Sequence, residues 1–93
     1  MTVGSDMPTP EEVKLLLEEE NPEALLLDGF ENALIGVARR CGQPVLAVYD
    51  QDLIIQTLME QGMDDEAAVE FYEYNVAGAW VGPMTPIIMV RPS

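Results

Sequence analysis

Residues 30–50 read FENALIGVARRCGQPVLAVYD, and the fold turns on how they are read. Val45-Leu46-Ala47-Val48-Tyr49 is a compact apolar run with β-branched residues, which is the composition of a strand. Cys41-Gly42-Gln43-Pro44 ahead of it reads as a turn. The stretch before the turn carries two patterns at once. Phe30, Ala33, Leu34, Val37 and Ala38 fit helical spacing about as well as they fit a strand. We read an antiparallel hairpin, about 32–39 paired with 45–49, with a helical 30–40 as the alternative. Gly36 inside the first strand implies a bulge or a close backbone contact.

Downstream, Asp50 is placed to cap a helix over 51–61 whose apolar face is Ile54, Ile55, Leu58 and Met59, and Gly62 ends it. Asp64 caps a second helix running to about residue 77, with Asp65 and Glu66 in its first turn, where acids favour the helix dipole. Ala67, Phe71 and Tyr74 share one of its faces, with Ala68 and Tyr72 nearby, and Glu66, Glu70 and Glu73 share another. Tyr72 and Tyr74 flank Glu73 and so point to different sides, one packing and one exposed. Gly78 to Pro83 breaks the helix, and Ile87 to Val90 is a last β-like run.

Upstream, Thr9-Pro10-Glu11-Glu12 is a capping box with proline at the first helical position. It opens a helix over 10–19 with an apolar stripe of Val13, Leu16 and Leu17. Glu18, Glu19 and Glu20 then oppose the helix dipole, and Asn21-Pro22 stops the chain. Ala24 to Leu27 reads as a strand or one helical turn before the Asp28-Gly29 turn. Residues 1–8 read as a flexible tail, with Met7 a candidate internal start that would leave 1–6 outside the native chain. The expected fold is α+β: one domain over 9–93, with a sheet of a β-hairpin plus a C-terminal strand. The helices at 51–61 and 64–77 cover one sheet face, and the first helix is appended.

The whole chain has 93 residues, 17 of them Asp or Glu against 4 Lys or Arg, a net charge of −13. The apolar content, 48%, is too high for a disordered acidic chain. A domain this small has a thin core, and thin cores often gain stability by oligomerising. The charge argues against binding nucleic acid or an anionic membrane directly and favours a basic partner. No apolar run approaches the length of a membrane span, and the start lacks the pattern of a signal peptide. A cytosolic location follows as the simplest expectation.

There is no histidine and one cysteine, so Ser-His and Cys-His pairs, His-built zinc sites and thiolate metal sites are excluded. No phosphate-cradling glycine loop is present. The only lysine, Lys14, has Glu11 and Glu18 as helical neighbours, which implies an exposed ion pair. Cys41 follows Arg39 and Arg40, a setting that can activate a thiol, although a small residue in a turn is the preferred reading. The two arginines either bind an anion or neutralise nearby acids, and the abundance of acids favours the second. Asp50 and Asp52, with Asp28 and Glu31 or with the acids of 64–73, are candidate ligands for a hard cation, yet they match no calcium loop. The preferred reading there is a helix cap and a solvated acid.

Asp64, Asp65, Glu66, Glu70 and Glu73 form an acidic stripe. Carboxylates one helical turn apart lie about 6 Å from each other, comparable to phosphate spacing on a strand. Such a stripe is either an ordinary solvated face or a partner surface that imitates nucleic acid. Trp80, between Gly78 and Gly82, is either an apolar interface anchor or a core plug, and locally the plug is preferred.

From Asp28 to Met89 the sequence resembles a family of small tailed-bacteriophage proteins. The likeness rests on Asp28-Gly29-Phe30, Ala33-Leu34-Ile35-Gly36-Val37, Arg40-Cys41-Gly42-Gln43 and Val48-Tyr49-Asp50. It continues through Leu58-Met59, Gly62-Met63, Glu66-Ala67, Asn75 to Gly82 and Thr85-Pro86. The resemblance implies a phage protein made in the host bacterial cytoplasm. It brings no established activity, so no catalytic residue is carried over. The expected function is a non-enzymatic, cofactor-free accessory protein that binds and inhibits or redirects a basic host protein. It would act as an anti-defence or host-takeover factor, with Asp64, Asp65, Glu66, Glu70, Glu73 and Trp80 as the contact set. The alternatives are a self-associating module and a small carboxylate- or metal-dependent ligand-binding protein or enzyme.

Overall fold

Thr9 and Glu12 cap the first helix reciprocally. Thr9 Oγ1 accepts from the Glu12 amide at 3.2 Å, and Glu12 Oε1 accepts from the Thr9 amide at 2.9 Å. In the computed structural model, which describes residues 9–92, this box opens α1, Pro10–Glu20. The tail at 1–8 and the question of a start at Met7 lie outside the described residues. A single 3₁₀ turn, Glu31–Ala33, then leads into β1, Leu34–Ala38. The strand reading of the ambiguous stretch therefore holds for its second half, and its first residues are helical. β2, Leu46–Asp50, completes the hairpin, and Gly42 at the turn takes the left-handed φ of 80° that a side chain disfavours. The register slips between Leu34 and Gly36, leaving Ile35 as the extra residue of a bulge. A Cβ on Gly36 would meet nothing within 4 Å, so the bulge, not a close contact, accounts for that glycine.

Asp50 closes β2 and caps α2, Gln51–Glu60, and Asp64 caps α3, Asp65–Tyr72. α3 is shorter than the expected helix to residue 77. It gives way to one wider π-type turn, Glu73–Ala77, where the Asn75 side chain takes the Phe71 carbonyl at 3.1 Å in competition with the backbone ladder. The chain returns as β3, Ile87–Met89, parallel to β2. The sheet order is β1-β2-β3, and the architecture is α+β.

One core holds the elements together, centred on Tyr49, Ile54 and Leu58. α1 is not an appendage, because it packs on β1 and sends Val13 and Leu17 into that core. α3 rests chiefly on α2 instead of on the sheet. The helix faces also differ from the expected ones. Leu16 and Met59 are exposed, and α3 buries Ala68 and Tyr72 while Phe71 and Tyr74 stay outside. Two aromatics at 71 and 74 dominate a periodicity reading, but a two-turn helix resting on another helix needs only one narrow stripe, the i, i+4 pair Ala68 and Tyr72.

Residues 24–27 form neither strand nor helical turn. They are held by the Leu25 amide donating to the Met84 carbonyl at 3.2 Å and the Leu27 amide donating to Tyr49 Oη at 2.8 Å. Burial pushes the Tyr49 phenol above its ordinary 10.0. The Leu27 amide works against that rise, and Glu31 and Asp28 add to it. Burial does the same at Tyr72. The folded state thus holds these protons more tightly than the unfolded chain. Their contribution to stability is complete below about pH 10 and is lost as pH rises through the folded values. Tyr49→Phe leaves the Leu27 amide unpaired and is expected to cost about 1–2 kcal/mol at neutral pH. It should also flatten the alkaline loss, as read by urea unfolding from pH 7 to 11.

Candidate functional site

The five acids of the stripe are brought together as expected. Asp64 Oδ1 accepts from the Ala67 amide at 2.8 Å. With Asp65 and Glu66 it stabilises the positive end of α3, so these three acids have a structural task. Glu70 and Glu73 have none of that kind. All five are exposed and line one shallow, open surface together with Val69 and Tyr74, whose 80% exposure makes it the most accessible large apolar side chain among the described residues. Trp80 does not line this surface.

Trp80 is no core plug, since 72% of it is exposed. Its loop is shaped by Thr85, whose Oγ1 accepts from the Val81 amide at 2.9 Å and donates to the Gly82 carbonyl at 2.7 Å. Gly82 takes a φ of 118° at this turn. The loop sets Trp80 against the hairpin end and makes a groove of about 590 Å³. Its lining brings the apolar Ala38, Leu46, Ile87, Met84 and Trp80 together with Arg39 and Arg40. Among the described residues the Asp50–Arg91 pair is the one salt bridge, so the arginines do not neutralise acids as expected and Lys14 makes no ion pair with Glu11 or Glu18. Arg39 and Arg40 are both exposed. Cys41 is exposed and does not line the groove.

Asp50 is fully buried and both its oxygens are committed. Oδ1 accepts from the Asp52 amide at 2.8 Å and the Leu53 amide at 3.2 Å, while Oδ2 takes Nε of Arg91 at 2.7 Å and also its Nη2. Asp52 is exposed, as are Asp28 and Glu31. Among the described residues no three Asp, Glu, His or Cys side chains are grouped as a metal would need. Among them, too, no helix is long and apolar enough to cross a membrane.

Sequence reasoning missed the groove and the role of Arg91. Arg39 and Arg40 are visible as a pair, but Trp80 reaches them only through the tertiary fold, and nothing local ties Arg91 to Asp50. The chain matches no protein-family model, no curated protein and no solved structure.

Proposed function

We propose that this chain is a non-enzymatic binding protein that docks on a basic host protein through the exposed face of α3. In this reading it is a phage accessory factor, made in the bacterial host cytoplasm, that inhibits or redirects its partner. The observation that carries the proposal is the open acidic surface on α3, where five carboxylates surround Val69 and Tyr74 with no cation among them. A charged rim around apolar contacts is the composition of an interface, and its field would steer a basic partner towards it. Tyr74 replaces Trp80 as the apolar anchor of this face. The absence of histidine excludes Ser-His and Cys-His pairs, and Asp50 is held by two amides and Arg91, which favours a binding role over catalysis.

Glu66→Lys, Glu70→Lys and Glu73→Lys together are expected to weaken partner binding by about tenfold or more, since each exposed charge pair contributes about 0.2–1 kcal/mol and reversal makes it repulsive. The check is capture from bacterial lysate at low and high salt, read by mass spectrometry. One dominant basic protein should bind the wild type, release as salt rises, and be lost with the triple variant. Equal capture by both chains would remove the α3 face from the proposal.

A further inference from the structure

Two of the four cations of this chain meet in one place. Arg39 and Arg40 follow β1 directly, and both line the groove with Trp80. No Asp or Glu is among its lining residues, although 17 of the 93 residues are acidic. Neither arginine has a carboxylate partner among the described residues, whereas Arg91 is committed to Asp50. Two guanidiniums without a counter-charge, in a groove free of acids, have the composition of an anion site.

The segments that form the groove are held by their own hydrogen bonds. In the hairpin turn, the Gln43 amide donates to the Arg40 carbonyl at 2.9 Å. In the other segment, the Trp80 amide donates to the Gly78 carbonyl at 3.1 Å, and Thr85 holds both the Val81 amide and the Gly82 carbonyl. The Met84 carbonyl accepts from the Leu25 amide at 3.2 Å. Pro44, Pro83 and Pro86 also line the groove, each with a φ fixed by its ring. A site braced in this way loses little conformational freedom when it is filled. Its volume of about 590 Å³ lies within the roughly 300–1,000 Å³ of small-molecule sites.

The lining selects a ligand by its parts. Two positive guanidiniums match a phosphate monoester, which carries a charge of about −1.5 to −2 at pH 7 and accepts bidentate pairs. Trp80, largely exposed, and the apolar residues around it match a planar ring, because an indole stacks on a base of any sequence. A longer polyanion fits poorly, since its further charges would lie against a surface whose net charge is −13. We propose that the groove binds a nucleoside monophosphate, with the phosphate on Arg39 and Arg40 and the base against Trp80. The acidic surface opposes the approach of any anion at long range, but a Debye length of about 8 Å at physiological salt leaves the two arginines to decide within the groove. The groove shares no lining residue with the α3 face, so the two surfaces stand or fall separately.

The test titrates the full chain with AMP and GMP, followed by calorimetry and by the emission of Trp80, the only tryptophan. Both nucleotides are expected to bind and to quench that emission. AMP should bind at least about tenfold more tightly than adenosine, ribose 5-phosphate or inorganic phosphate, each of which lacks one half of the contacts. Arg39→Gln/Arg40→Gln and Trp80→Leu should each weaken AMP binding by about tenfold or more, read by calorimetry. All three side chains are exposed, so both variants should keep the circular dichroism of the wild type. Glu66→Lys/Glu70→Lys/Glu73→Lys should bind AMP at least as tightly as the wild type, which separates the groove from the α3 face. A wild type that binds neither nucleotide at millimolar concentration would overturn the proposal, as would affinity indifferent to both groove variants. Inorganic phosphate bound as tightly as AMP, or an oligoadenylate or oligoaspartate bound more tightly, would overturn it too.

Discussion

Asp50→Ala is expected to lower the melting temperature by about 15 °C. The substitution removes an N-cap, at about 1 kcal/mol, and hydrogen bonds to a charged partner, at about 1.5–3 kcal/mol. The sum of about 3 kcal/mol is a large part of the roughly 5–14 kcal/mol that 0.05–0.15 kcal/mol per residue allows this chain. A shift of about 4–8 °C per kcal/mol in a domain of this size gives the temperature. The reason for so large an effect is position. Asp50 is paired with Met89 in the sheet, begins α2, and holds Arg91 beyond β3, so one carboxylate joins three elements. Arg91→Met should cost less, about 2 kcal/mol. Breaking a fully buried pair costs about 3–5 kcal/mol, but the Arg91 side chain is 52% exposed, and water can partly replace it. The combination of Asp50→Asn with Arg91→Met should recover part of the loss, because no unpaired charge remains. Thermal melts by circular dichroism at fixed protein concentration check all of this. An Asp50→Ala melt within about 2 °C of the wild type would reduce the carboxylate to a surface cap.

What the sequence showed best was local chemistry. The box at Thr9, the caps at Asp50 and Asp64 and the left-handed turns at Gly29, Gly42 and Gly62 each depend on a few neighbouring residues, and each is in place. The hairpin is equally local, and its bulge was signalled by Gly36. What was not legible is set by contacts between distant residues. The inward face of α3 depends on its resting on α2, so Ala68 and Tyr72 turn in although Phe71 and Tyr74 are stronger apolar signals. Asp50 reads as a cap from its neighbours, but its second oxygen belongs to a residue 41 positions away. The candidate surfaces divide along the same line. The acids of α3 are one helix face and could be named from spacing, whereas the groove needs β1, β2 and the loop after α3 in place before Arg39, Arg40 and Trp80 meet.

The same dependence on α2 makes Ile54→Ala the core substitution with the largest expected effect. α2 contacts α3, the 3₁₀ turn ahead of β1 and β2, and its buried Ile54 and Leu58 share one core cluster with Ala68 and Tyr72 of α3. Ile54 is fully buried within it. Truncating a buried isoleucine to alanine removes its transfer energy and leaves a cavity, at about 2–5 kcal/mol in all. Two features push this site to the upper half of that range. A thin core offers few side chains able to move into the space. Ile54 also lies in the helix on which α3 chiefly rests, so the cavity would loosen that contact as well. A loss of about 4 kcal/mol corresponds to a melting shift of about 16–32 °C. Ile54→Val should cost only about 0.5–1.5 kcal/mol, and Met59→Ala, on the exposed side of the same helix, less than about 1 kcal/mol. Urea unfolding of the three variants at one protein concentration separates them, since any self-association would add to apparent stability. If Ile54→Ala and Met59→Ala lost equal stability, the expected inward face of α2 would be wrong, and with it the support of the α3 surface.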